Sequence, residues 1–125
     1  IVKNAATAGS TAHDTSVVLL DSEPLFRGVL DDLAASTPAC VIAAKAHNAF
    51  VQAIVQTCLL AQAAYDIRTV VLSGGVFMNR YLIEHTTESL MEAGFTVAIN
   101  RELPPNDGGL SYGQAAVASA RLGSE

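Results

Sequence analysis

Two short loops in this 125-residue chain carry residue types suited to binding a charged ligand. The first, Leu72-Ser73-Gly74-Gly75-Val76-Phe77-Met78-Asn79-Arg80, follows a β-branched run and precedes a helical pattern. With no Cβ at Gly74 or Gly75, a ligand can approach the backbone closely. The N–H groups and positive dipole end of the helix that follows suit a phosphate. Asn79 adds a carboxamide able both to donate and to accept. The pattern is neither GxGxxG nor a P-loop with its lysine, and by local criteria alone a tight turn is the simpler reading.

The second loop, Pro104-Pro105-Asn106-Asp107-Gly108-Gly109, also lies between an expected strand and an expected helix. Asp107 stands at the mouth of that helix. Its carboxylate suits one position in the oxygen shell of a hard cation, with phosphate oxygens and water supplying the rest. Local evidence favours a plainer role, in which Asp107 caps the final helix. One carboxylate does not make a metal site.

Other reactive residues are weaker candidates. His47 shares a helical stripe with Val51, Ile54 and Cys58, the pattern of a hydrogen-bonded core histidine. His85 falls mid-helix beside Glu84 and Glu88, and His13 falls in an irregular N-terminal stretch. No two histidines have zinc-ligand spacing with a cysteine or carboxylate. Ser73 has no histidine base nearby in sequence, which argues against a nucleophilic serine. If Cys40 and Cys58 share one helix, they lie about 27 Å apart, beyond disulfide reach. Both read as small buried apolar residues in a reducing compartment, so a cytoplasmic location is expected.

The elements that must hold the two loops follow from pattern. Ile1 to Thr15 lacks periodicity and reads as an arm or linker remnant, with one lobe over 16–125. Ser16 to Leu20 suits a strand. Asp21 or Ser22 can cap a helix with Pro24 in its first turn, presenting Leu25, Phe26, Val29, Leu30 and Leu33 on one face. Thr37-Pro38 marks a second start, with Pro38 at the first helical position. From Ala39 to Tyr65 nothing breaks a helix. Its polar stripe of Lys45, Asn48, Gln52 and Gln56 is narrow, so the helix is expected to be largely buried. Thr69–Leu72 suits a buried strand, 79–93 a helix ended by Gly94, 95–99 a strand and 110–122 a last helix. That alternation predicts an α/β fold, a mixed sheet covered by helices.

Composition narrows the function classes. The net charge is −5 and the seven basic residues are scattered, so a nucleic-acid groove is not expected. No apolar run approaches the ~18 residues of a membrane span. Half of the residues are hydrophobic and 15% are charged. Either the fold is very compact, or apolar surface serves a partner lobe, a subunit or self-association. Ile1 reads as the cut edge of a longer protein.

The two loops, together with Gly113-Gln114-Ala115-Ala116, Pro24-Leu25 and Ile42-Ala43-Ala44-Lys45-Ala46-His47-Asn48, resemble the C-terminal end of the HypF family. Ala46 stands where that family usually has phenylalanine. The resemblance covers roughly residues 16 to 122, and the ordered combination is more specific than any single piece. HypF is the carbamoyltransferase of [NiFe]-hydrogenase maturation. It is similar to the tRNA threonylcarbamoyl transferase TsaD and shares the actin/Hsp70-like ATPase fold, in which two lobes close over a nucleotide.

That resemblance implies that Gly74 and Gly75 line ATP or a carbamoyl-adenylate, and that Asn79 contacts substrate or adenylate. It implies that Asp107 is one ligand of a divalent metal whose partner histidines belong to the N-terminal lobe, absent from this sequence. The implied reaction passes a carbamoyl group from carbamoyl phosphate, through carbamoyl-adenylate, to the C-terminal cysteine of HypE. Two alternatives remain at the level of sequence. One is an O-carbamoyl or tRNA threonylcarbamoyl transferase of the same superfamily, and the other is a non-catalytic interaction module.

Overall fold

A computed structural model of the chain describes residues 2–5 and 17–123. The chain divides into two compact units, Ile1–Ile67 and Arg68–Glu125.

The first unit contains β1 (Val2–Ala5), β2 (Val17–Leu20), α1 (Glu23–Ala34) and α2 (Ala39–Tyr65). Strands β1 and β2 pair antiparallel, with Val2 opposite Leu20 and Ala5 opposite Val17. The sequence reading placed β1 in an arm. Its partner strand is distant in sequence, so the short segment 2–5 shows no local periodicity to reveal the pairing. The remainder of that arm, including His13, lies outside the described residues.

Helix α1 starts at the expected place, but Ser22 makes no side-chain cap. Instead, the Glu23 N–H donates to Asp21 Oδ1 at 3.1 Å. Pro38 likewise proves to be the residue before α2 rather than its first helical residue. Its ψ of 137° is extended, and the helix begins at Ala39. The turn between the helices is closed by Asp32. It accepts from Lys45 Nζ at 2.8 and 2.9 Å and from Thr37 Oγ1 at 3.4 Å, and its carbonyl accepts from the Thr37 N–H. At its far end α2 stops at Asp66, a left-handed residue whose N–H donates to the Gln62 carbonyl at 2.8 Å.

At 27 residues, α2 is about 40 Å long. Its polar stripe is exposed as expected, but the prediction of a largely buried helix is corrected. Only Ile42, Val51, Ala53 and Val55 are buried, while Val41, Phe50 and Leu59 are exposed. On α1, Leu25 and Val29 are half-buried and Phe26 is 65% exposed. One other helix and one small sheet cannot surround a helix that is apolar on most of its circumference. Cys40 is exposed on α2 and Cys58 half-buried, so the expectation of two buried cysteines holds only in part. His47 is half-buried, with Nδ1 2.7 Å from the Ala43 carbonyl oxygen.

The second unit is a β3–α3–β4–α4 arrangement, with β3 at Thr69–Leu72, α3 at Arg80–Glu92, β4 at Thr96–Ile99 and α4 at Gly108–Leu122. Strands β3 and β4 are parallel, from Thr69 opposite Thr96 to Leu72 opposite Ile99. The core consists of Leu72, Leu82, Thr86, Leu90 and Phe95. Three of these recur every four residues along α3, the spacing of one helical face.

Gly94, at φ +88°, ends α3 as expected. Its N–H reaches the Met91 carbonyl, while the Phe95 N–H reaches the Leu90 carbonyl. This is the paired closure of a Schellman motif, and it delivers Phe95 into the core just before β4. Strand β3 alternates, with Leu72 buried and Val71 67% exposed, whereas Ala98 and Ile99 at the end of β4 are both exposed. Helix α4 has no buried residue. The fold is mixed α/β, with one antiparallel and one parallel strand pair among the described residues. No described helix is long and apolar enough to cross a membrane.

Candidate functional site

Because β3 and β4 are adjacent and parallel with Leu72 opposite Ile99, the segments leaving them emerge at the same edge of the sheet. Ligands of open α/β sheets bind beyond the carboxyl ends of strands. Both loops identified from the sequence therefore stand where such a site belongs.

The first loop leaves Leu72 through Ser73 and Gly74. Gly74 adopts φ +103° and ψ 161°, a conformation open to glycine and costly for an L-residue. Gly75–Met78 then forms a 3₁₀ turn, which the sequence reading did not foresee. Its ring is closed by the Phe77 N–H donating to the Gly74 carbonyl at 3.1 Å. Asn79 follows in extended conformation and caps α3, its Oδ1 accepting from the Leu82 N–H at 3.2 Å. The expected helix 79–93 therefore begins one residue later, with Asn79 as its cap. The carboxamide oxygen accepts from the helix, and a donor contact from Asn79 to a ligand would use Nδ2.

The second loop folds back on the start of α4. Asp107 occupies the cap position but makes no side-chain cap bond. The neighbouring residue does so instead, with Asn106 Oδ1 accepting from the Gly108 N–H at 3.0 Å. The backbone of Asp107 is helical, φ −56° and ψ −22°, whereas a capping side chain normally springs from an extended residue. The capping role favoured for Asp107 on local grounds is thus filled by Asn106, and the exposed Asp107 carboxylate is not consumed by the helix. The glycine pair after it has a steric reason. A Cβ on Gly109 would lie 2.9 Å from the Pro104 carbonyl oxygen, and one on Gly108 3.1 Å from Asn106 Oδ1.

Two hydrogen bonds join the loops. The Gly74 N–H donates to the Pro105 carbonyl at 2.7 Å, and Asn106 Nδ2 donates to Met78 Sδ at 3.1 Å. Between them opens a cavity of about 490 Å³ lined by Ser73, Gly74, Asn100, Pro104, Asn106 and Asp107, among others. Of the four residues singled out from the sequence, Gly74 and Asp107 line this cavity, whereas Gly75 and Asn79 do not. Ser73, Asn100 and Asn106 are lining residues that sequence reasoning left without a role. Asn106 had a legible signal, an Asn two residues before paired glycines at a helix start, which is an Asx-turn pattern.

Among the described residues no three His, Cys, Asp or Glu side chains gather into a metal-binding group. Asp107 nevertheless fits one corner of a shared cation shell, being an exposed carboxylate free of cap duty on the cavity wall. The cavity also has room for a phosphate group between the Gly74 turn and the Asp107 loop.

Comparison with known proteins decides the family. Residues 2–114 match the family model described as "Carbamoyltransferase, Kae1-like Domain, second subdomain". The chain belongs to the HypF carbamoyltransferase family. It is 39% identical over 102 residues to carbamoyltransferase HypF2 of Cupriavidus necator, covering 82% of this chain and 12% of that protein. It is 39% identical over 95 residues to carbamoyltransferase HypF of Synechocystis, covering 76% of this chain and 12% of that protein. A solved full-length HypF in a phosphate- and nucleotide-bound form superposes with a TM-score of 0.77 at 34% identity, over 98% of this chain and 15% of that one. The chain thus spans about one-eighth of the length of these HypF relatives. The resemblance read from the two loops is borne out at the level of family and fold.

Proposed function

We propose that this chain forms one wall of the nucleotide- and metal-binding site of a HypF-type carbamoyltransferase. The observation that carries this reading is the Gly74 N–H to Pro105 carbonyl bond at 2.7 Å. It fuses two loops at the carboxyl edge of a parallel sheet into one cavity wall, with a positive-φ glycine on one side and an uncommitted carboxylate on the other. A related HypF is described in a phosphate- and nucleotide-bound form, which supports a phosphate-bearing ligand for this cavity.

In the reaction we infer, a carbamoyl group moves from carbamoyl phosphate, through a carbamoyl-adenylate made with ATP, to the C-terminal cysteine of HypE, in service of cyanide-ligand synthesis for [NiFe]-hydrogenase. Gly74 lets the ligand's phosphate approach the main chain, and Gly75 shapes the turn behind it. Asn79 fixes the start of α3 and has Nδ2 as its donor toward the adenylate. Asp107 contributes one oxygen to a divalent cation whose other protein ligands come from the N-terminal lobe. Such a cation would offset phosphate charge and help to orient the carbamoyl group. The chain itself contributes placement and electrostatics rather than a nucleophile. A cytoplasmic location belongs to the same proposal.

The test is Asp107→Ala in a full-length HypF carrying this sequence, assayed for manganese(II) binding and for carbamoyl transfer to HypE. We expect both to weaken by at least about tenfold, in line with the loss of a metal-site group. Turnover and metal affinity equal to the parent's would remove Asp107 from the metal shell.

A further inference from the structure

The Asn106 carboxamide is held at both ends. The Gly108 main-chain nitrogen can only donate, so the atom 3.0 Å from it must be the accepting Oδ1. That assignment turns Nδ2 toward Met78, whose sulfur lies 3.1 Å away. One side chain therefore bridges the first turn of α4 and the 3₁₀ turn that follows β3, spanning 28 residues of sequence. Met78 is otherwise an exposed thioether, in a position where packing does not explain it.

Asp107 is the next residue after this bridge. Its carbonyl accepts from the Leu110 N–H at 3.0 Å, and the Asn106 carbonyl accepts from the Gly109 N–H at 2.9 Å. The main chain of Asp107 is therefore pinned on both sides, while its carboxylate carries no cap bond. A capping side chain at Asp107 would accept from the Gly109 or Leu110 N–H, but both are held by main-chain carbonyls and the Gly108 N–H by Asn106, so the first turn of α4 offers the Asp107 carboxylate no donor.

From this geometry we infer that Asn106, anchored by the sulfur of Met78, is a positioning residue. It takes over the helix cap and locks the loop, so that the Asp107 carboxylate faces the cavity rather than its own helix. Met78 acts at one remove, as the acceptor that fixes which way the Asn106 amide points. The inference rests on the reading of Asp107 as a metal ligand proposed above.

The test isolates the sulfur contact, because removing Asn106 itself would also uncap α4. In a full-length HypF carrying this sequence, Met78→Leu keeps the shape and deletes the acceptor, whereas Met78→Gln supplies an oxygen acceptor in its place. Manganese(II) affinity is read by electron paramagnetic resonance of the free ion, alongside the thermal midpoint and separate kcat and KM values for ATP. We expect Met78→Leu to weaken manganese binding by about tenfold. This is the low end for partners of metal ligands, since a thioether is a weak acceptor. The thermal midpoint should be unchanged, and Met78→Gln should restore affinity to within about twofold of the parent, as an amide oxygen replaces the sulfur as acceptor. Asp107→Asn is measured in parallel. If it weakens manganese binding while Met78→Leu does not, the positioning role is overturned and the metal reading stands. If Asp107→Asn has no effect, the metal reading fails and the positioning role falls with it. Equal losses in Met78→Leu and Met78→Gln would reduce Met78 to a packing residue and overturn the inference.

Discussion

The main-chain N–H of Gly74 donates to the carbonyl of Pro105 at 2.7 Å, so the two loops of the candidate site behave as one piece of backbone. Gly74 can make this bond because it sits at φ +103°. Gly75 carries no comparable demand, and a Cβ at either position would meet nothing within 4 Å. Conformation, and not space, separates the two glycines.

Gly74→Ala should therefore destabilise the protein by about 1–3 kcal/mol, the range for a side chain forced into such a backbone region. Gly75→Ala should stay within about 0.5 kcal/mol. Chemical denaturation of the two variants checks this. Equal losses would mean that the pair acts through steric access and not through the turn.

Asn79 offers a similar separation of roles. Asn79→Ala removes the acceptor for the Leu82 N–H and should cost about 1 kcal/mol, as other lost helix caps do. Asn79→Asp keeps an acceptor but lacks the Nδ2 donor. Preserved stability with weakened ATP binding in the Asp variant, measured by calorimetry, would assign Nδ2 to the ligand. Preserved binding would leave Asn79 as a cap alone.

Burial pushes the Cys58 thiol up, because a half-buried thiolate is poorly solvated. The thiolate is the reacting form, so iodoacetamide should modify exposed Cys40 first at neutral pH, with Cys58 following only under alkaline conditions. The sign for stability follows from the same shift. The unfolded thiol gives up its proton at lower pH than the folded one. The Cys58 contribution is thus intact below the ordinary thiol range and is lost as pH rises through that range toward the elevated folded value. Peptide mass spectrometry across pH checks the order of labelling, and simultaneous modification at neutral pH would contradict it.

Much of the second unit was legible in sequence, because its signals are local. Thr69–Leu72 is a short β-branched run and Gly94 is the residue type that a left-handed helix end requires, whereas Asn79 reads as the first residue of the helix that it in fact caps. The cap of α4 was misread because Asn106 and Asp107 are adjacent and chemically alike, and only the backbone dihedrals decide between them. The 3₁₀ turn at Gly75–Met78 was missed because one short turn has no periodicity to detect. The burial of α2 was overestimated for a different reason. Apolar composition says that a face is to be covered, but it does not name the cover. Likewise, the bond between Gly74 and Pro105 joins main-chain atoms, which leave no trace in side-chain pattern.

The parallel register from Thr69–Thr96 to Leu72–Ile99 acts as a ruler for the site. Adjacent strands lie about 4.8 Å apart, and each residue advances a strand by about 3.3 Å. A slip of one residue would carry the Asp107 loop past the Gly74 turn by more than the length of a hydrogen bond, and would also exchange the buried and exposed faces of the moved strand. Sequence drift in this family should therefore be loose in which apolar residue occupies Val70, Leu72 or Val97, yet intolerant of a single insertion or deletion within either strand. The alignment gaps of close relatives ought to avoid those two short segments.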